Sequence, residues 1–294
     1  MAVVRAVDSG SGIPLGPSVQ ALTPPAFPDG TSDPKVVFCA PHPDDESLSG
    51  ALALRLRLQG AEVTNVAITL GSDLTQRQRR STELEASCRV LGYKLVVPVA
   101  SSGRSGFDDV NTESRQTRPR EWADKVRKLT DIFDRERPDV VFAPHAGDFN
   151  TTHVGTHFLV VDALGIHLKH GGRDILPLIQ TEFWHPLDSP NLMVGLSPEL
   201  VAHQMTAIAE HGGEMSRNPY HLRHLCRLMD NVRRGSEVVG GQGAPAQQLT
   251  FAELYQVTFA KESEVVGPLG CARVVGPGEL IDIEALTAEF RRRL

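Results

Sequence analysis

The chain has little cysteine, few aromatics, no long apolar run and no block of like charge. Its four cysteines, Cys39, Cys88, Cys226 and Cys271, stand far apart with no CxxC spacing. That usage fits reduced thiols in a cytoplasm rather than a disulfide framework. No segment approaches the roughly 20 apolar residues that a bilayer span needs. The N-terminal stretch has no basic start leading into a continuous apolar one, so neither a span nor a signal peptide is expected. The formal charge of -6 and the lack of a Lys/Arg block argue against nucleic acid or anionic membrane as the main partner. No GxGxxG follows the first apolar run, which weakens a dinucleotide-binding oxidoreductase reading. A soluble cytoplasmic protein is the expectation.

What is present is ordinary in bulk and informative in pattern. With 40% hydrophobic and 22% charged residues over 294 positions, the chain can bury a sizeable core. Residues 1–34 are rich in Pro, Gly and Ser and read as a surface arm. From Lys35 on, strand-like and helical patterns alternate. Strands are expected at 36–40, 63–70, 95–99 and 140–143, and helices from there to about 59, over 75–91, 121–135, 153–169 and 198–210. Gly60, Gly92 and Arg137-Pro138 punctuate the first three helices. Mixed segments follow at 180–185 and 192–196, and 218–243 has a helical middle. This alternation predicts an α/β fold: a Rossmann-like, mostly parallel sheet with helices on both faces. No internal repeat or linker is visible, so residues 35–294 read as a single domain with a C-terminal extension from about 198.

The densest chemistry is His42-Pro43-Asp44-Asp45-Glu46, placed where the first strand gives way to a helix. An imidazole and neighbouring carboxylates crowded into one turn are costly unless a cation or a reaction uses them. A second polar cluster, His145, Asp148, Asn150, His153 and His157, follows the strand at 140–143 in the same sense. In a parallel sheet the ligand crevice lies beyond the carboxyl ends of the strands, so these two loops can converge. Catalytic zinc takes three protein ligands of the His and carboxylate type and leaves a fourth position open. His42, Asp45 and His153 make such a set, and Asp44 is then placed to take a proton from water. The competing reading of the first cluster is helix capping, which accounts for one or two carboxylates but leaves His42 and the proline turn without a reason. Glu46 suits a helix start or a supporting role. Each histidine of the second cluster is by itself ordinary.

The run Ala40-Pro41-His42-Pro43-Asp44-Asp45-Glu46 resembles the PIG-L/LmbE-like zinc de-N-acetylases. The resemblance covers about Lys35 to Tyr255 and implies a Rossmann-like fold that hydrolyses N-acetyl groups on sugars. It marks His42 and Asp45 as metal ligands, Asp44 as general base, and His153 as the remaining ligand. The family's His-Pro-Asp-His motif reads Asn150-Thr151-Thr152-His153 here. Asn150 can donate a hydrogen bond to an oxyanion but cannot deliver a proton, and His145 or Asp148 could compensate. Arg80, Glu83, Leu84, Leu91 and Gly92 resemble the family's second helix, and Arg234-Gly235 and Ala252-Glu253 give weaker matches. Where the family often has an arginine after the second strand, this chain has Thr69-Leu70-Gly71-Ser72.

The expected activity is therefore a zinc-dependent hydrolase, with another divalent metal as an alternative, that removes an N-acetyl or related N-acyl group from an amino sugar such as GlcNAc or a glycoconjugate. Asp44, Asn150 and His145 are its catalytic candidates. Asp148, Arg80, Arg217 and Arg234 are candidates for substrate binding. Arg223, Arg227 and Arg233 could join Arg217 and Arg234 around an anionic substituent, against a reading as salt bridges and solvated helix faces. Trp122, Trp184 and Tyr220 could stack on a sugar ring or simply pack. Association into homo-oligomers stays open. The alternative function is a non-catalytic, metal-containing ligand-binding protein on the same fold.

Overall fold

The computed structural model describes residues 34–243, Pro245 and 247–294. The arm expected over 1–34 lies, apart from Pro34, outside the described residues. The first half runs β1 (Lys35–Ala40), α1 (Asp45–Leu48), α2 (Ala51–Leu58), β2 (Glu62–Ala67), α3 (Arg77–Leu91), β3 (Lys94–Val96), α4 (Ser114–Thr117), α5 (Pro119–Glu136), β4 (Val140–Pro144) and α6 (Thr151–Gly171). The second half adds β5 (Leu176–Thr181), β6 (Leu192–Leu196), α7 (Pro198–Ala209), α8 (Gly212–Arg217), α9 (Tyr220–Val238), β7 (Phe251–Lys261), β8 (Glu264–Val266), β9 (Arg273–Val275) and α10 (Ile283–Arg291).

Among the described residues the strands form one nine-stranded sheet ordered β3-β2-β1-β4-β5-β7-β6-β9, with β8 paired to β7. Neighbouring strands from β3 to β5 are parallel. They read as apolar runs because both of their faces are covered. Val36 and Phe38 pack with α2, α3 and α7 residues such as Leu52, Leu84 and Leu200. Val37 and Cys39 face the other way, onto Leu129 and Phe133 of α5 and Leu159 and Leu164 of α6. The predicted mostly parallel α/β sheet with helices on both faces is the observed one.

Two departures matter. The helix expected from the first strand to about 59 is broken at Ser49-Gly50, where a Cβ on Gly50 would lie 2.1 Å from the Glu46 carbonyl oxygen. Only glycine permits that close approach, so the chain turns there and α2 starts afresh. The second departure is β7, which was not expected as a strand. It enters antiparallel between β5 and β6, with Gln180 opposite Gln256 and Val194 opposite Glu253. The C-terminal part is thus woven into the sheet.

Strand order reverses between β1 and β4: β2 and β3 extend to one side, β5 to the other. Phe38 pairs with Phe142 across that junction. The loops leaving the carboxyl ends of β1 and β4 therefore open side by side around the crevice that such a reversal creates. No helix among the described residues is long and apolar enough to cross a membrane.

Candidate active site

The loop after β1 is held in an unusual backbone shape. Asp44, the residue preceding α1, has φ 118 and ψ -29, and its side chain makes no capping bond. A non-glycine residue there is strained by an amount of order 1–3 kcal/mol. Asp45 Oδ2 accepts the His42 backbone N–H at 2.9 Å and lies 3.4 Å from His42 Nδ1. Helix capping consequently does not explain Asp44, whose carboxylate is left for other use.

The loop after β4 is conventional. Asn150 caps α6, its Oδ1 accepting from the N–H groups of Thr152 at 2.9 Å and His153 at 3.4 Å. His153 occupies the first turn and is 2% exposed. Its Nε2 lies 3.3 Å from Asp45 Oδ2, and its Nδ1 lies 3.4 Å from Asp148 Oδ2. Asp148 also accepts the Asn150 N–H at 2.8 Å.

The two loops thus bring His42, Asp45 and His153 together, with one ligand atom from each within 4.8 Å of the others. The donor set suits a divalent cation. His153 Nε2 is buried without a well-formed hydrogen bond, as a nitrogen reserved for a metal would be. Asp148 behind the other ring nitrogen is the partner that fixes a ligating imidazole. Burial alone would lower the pKa of His153, but Asp45 and Asp148 outweigh it and hold it up at about 10. Burial likewise opposes ionisation of Asp45, yet His153 and His42 keep it far below the usual carboxylate range. Asp44 goes the other way. Burial, followed by the charge of Asp45, raises it well above that range, with Arg80 partly opposing.

A cavity of about 200 Å³ opens over this cluster, bounded by Asp44 and Asp45, Arg80, Asn150, Trp184 and Tyr220 among others. A second cavity of about 500 Å³ shares His42, Gly71 and Ser72 with it and is lined further by Arg77, Asp108 and Thr152. Arg77 Nε donates to the Gly71 carbonyl at 3.0 Å and its Nη1 lies 2.8 Å from Asp108 Oδ1. A guanidinium from α3 therefore stands beside the Thr69–Ser72 segment, which itself has no arginine.

The remaining sequence candidates divide. Arg80 and Arg217 border the smaller cavity, where both pair with Glu214, at 3.7 and 2.5 Å, and Arg80 also donates to the Pro43 carbonyl at 3.0 Å. Asp148 does not face substrate: its side chain is 0% exposed and turned to His153. Arg234 is paired with buried Glu182 and borders neither cavity. Arg227 donates to the Glu182 carbonyl, and Arg233 pairs with Asp230 and Glu237. Arg223 Nη1 lies 3.4 Å from Asn218 Oδ1, and none of Arg223, Arg227, Arg233 and Arg234 borders either cavity at the cluster. Trp122 is a core residue whose Nε1 donates to Asp162 at 2.8 Å. His145 stands back from the cluster, its Nε2 3.0 Å from the His185 carbonyl.

Phe183 and Glu214 also line the cavity, and sequence reasoning did not single them out. Phe183 lies just beyond β5, on the same carboxyl edge as the loops after β1 and β4, so position in the sheet was the available signal. Glu214 sits in a six-residue helix, and nothing local marks it.

Residues 37–164 match the PIG-L family, described as GlcNAc-PI de-N-acetylase. A 1D-myo-inositol 2-acetamido-2-deoxy-alpha-D-glucopyranoside deacetylase from Mycobacterium leprae is 30% identical over 154 aligned residues, which cover 45% of this chain and 50% of that protein. The chain thus spans about half the length of the curated relative it matches. Among solved structures, N,N'-diacetylchitobiose deacetylase from Pyrococcus horikoshii is 19% identical with a TM-score of 0.54, covering 87% of this chain and 91% of that one. The 4-carboxy-2-hydroxymuconate hydratase GalB from Pseudomonas putida is 18% identical with a TM-score of 0.56, covering 77% of this chain and 96% of that one. A deacetylase and a hydratase share this architecture, so the fold by itself does not select the reaction.

Proposed function

We propose, from the premise that residues 37–164 form a PIG-L-type segment, that this chain is a divalent-metal-dependent hydrolase releasing acetate from an N-acetylated amino sugar or glycoconjugate. The observation that carries the reading is the convergence of His42, Asp45 and His153 beside an uncommitted Asp44 carboxylate. Zinc is the metal best suited to that donor set. When bound, it would polarise the amide carbonyl and make an attacking water more acidic.

The chain's own residues supply the rest. Asp44 takes the proton of the attacking water and returns it to the departing amine, a role that suits a carboxyl whose pKa is raised by burial. Asn150 has its Oδ1 committed to the helix cap, which leaves its NH₂ to donate to the developing oxyanion. His145 is a poorer choice for that task because its Nε2 already meets the His185 carbonyl. Asp148 orients His153. Arg80, Arg217, Trp184 and Tyr220 surround the sugar, combining guanidinium hydrogen bonds with aromatic faces. The four free cysteines support a reducing cellular compartment.

The test is amine release from a panel containing N-acetylglucosamine, N-acetylglucosaminyl inositol and diacetylchitobiose, run on protein of measured metal content. Metal-dependent amine release is the expected result. Stoichiometric metal with no amine from any N-acyl substrate would favour the non-catalytic binding protein instead.

A further inference from the structure

The peptide at Asp44 is held by a buried relay that reaches across three elements. The Asp44 N–H donates to Glu46 Oε2 at 2.9 Å. The other oxygen of Glu46 accepts from Ser87 Oγ of α3 at 2.6 Å and from His211 Nε2 at 2.7 Å. Glu46 is 0% and His211 1% exposed. His211 is itself fixed between α7 and α8: its backbone N–H donates to Ile208, and its carbonyl accepts from Glu214 and Met215. A carboxylate buried this deeply is tolerable because every donor is in place, and the same donors remove its freedom to move. None of Glu46, Ser87 and His211 borders the catalytic cavity.

We propose that Glu46, His211 and Ser87 are positioning residues that clamp the Asp44 peptide at positive φ and so aim its carboxylate over the ligand cluster. The inference rests on the assignment of Asp44 as the base. An ordinary helix start would relax Asp44 to negative φ and swing its side chain toward the helix N–H groups as a cap. Glu46 prevents this by taking the Asp44 N–H, and His211 brings the loop after α7 under the control of the same carboxylate. Sequence spacing hides the device, since Glu46 and His211 are 165 residues apart.

Two variants of His211 separate positioning from mere packing. His211→Leu keeps bulk and loses the donor, whereas His211→Gln can still donate to Glu46. In His211→Leu, kcat on N-acetylglucosaminyl inositol should fall about 10- to 100-fold, as expected for a misplaced catalytic group. KM should stay within about threefold and metal per chain should not change. His211→Gln should recover kcat to within about fivefold of wild type. Crystal structures should show Asp44 leaving positive φ in the first variant and keeping it in the second. Should His211→Leu fail to fold, Ser87→Ala removes a single donor and gives the same readouts with a smaller loss. Unchanged kcat, equal loss in both His211 variants, loss of metal, or an unmoved Asp44 would overturn the proposal. If the wild-type protein releases no amine, the functional reading fails, and the Asp44 backbone in the crystals still decides whether the relay sets it.

Discussion

At the start of α1, Asp44 keeps its side chain out of the helix cap, while at the start of α6, Asn150 commits its side chain to one. The two loops leave adjacent strands and meet at the same cluster, yet they are built on opposite terms. The first has a strained backbone whose Asp44 N–H meets a buried carboxylate, and its Asp44 side chain stays out of the cap. The second follows ordinary helix-start rules and places His153 at the cluster through the position of α6. Under the proposed roles, local strain accompanies the group that acts and ordinary placement suffices for the group that holds.

The sharpest way to break this contrast is Asp44→Asn. It preserves size and the backbone N–H, so metal content should stay at wild-type level while kcat falls about 1,000-fold, within the range for a lost general base. Activity near wild type would remove the distinction between an acting and a holding loop.

The next effect belongs to the second loop and appears in stability. His157 Nδ1 donates to the Pro144 carbonyl at 2.9 Å, tying α6 to the end of β4. Burial, with His145 and Arg115 adding to it, lowers its pKa from 6.5 to about 4. Because the folded pKa is depressed, the unfolded chain takes up the proton first as pH falls. Stability should thus be undiminished above pH 6.5 and decline toward about pH 4, by a total on the order of 3 kcal/mol from this group. Urea unfolding at both ends of that window checks it, and His157→Gln should flatten the decline.

Smaller effects refine the assignment. Asp148→Asn should weaken metal affinity about 10- to 100-fold without abolishing binding, as titration calorimetry would show, because the carboxylate orients His153 instead of ligating. Asn150→Asp keeps an acceptor for the cap, so stability should change by less than about 0.5 kcal/mol while turnover drops. Asn150→Ala should lose turnover and about 1 kcal/mol of stability together. Equal stability in the two variants would show that the cap is immaterial.

The contrast also explains what could be read before the fold was known. The strand at 36–40 was legible as a short continuous apolar run and the helix at 121–135 by its helical period, and they appear at Lys35–Ala40 and Pro119–Glu136. The motif from His42 to Glu46 was legible because an imidazole and several carboxylates are compressed into a few neighbouring positions. His153 needed the family resemblance, since a histidine in a normally capped helix carries no local mark. Glu46's partnership with His211, the withdrawal of Arg234 to Glu182 and the burial of Trp122 are all long-range pairings without any period. The break at Gly50 was hidden for a related reason: the residue that forbids a side chain there is a carbonyl one turn earlier, not a neighbour in the pattern.

The antiparallel strand β7 has a consequence for how the chain is made. Because Phe251–Lys261 seals the edge of Leu176–Thr181, a nascent polypeptide emerging from the ribosome must carry that edge bare until the strand arrives. Fragments ending before Phe251 should accordingly recruit chaperones or precipitate, and productive expression depends on translating through the strand that closes the gap.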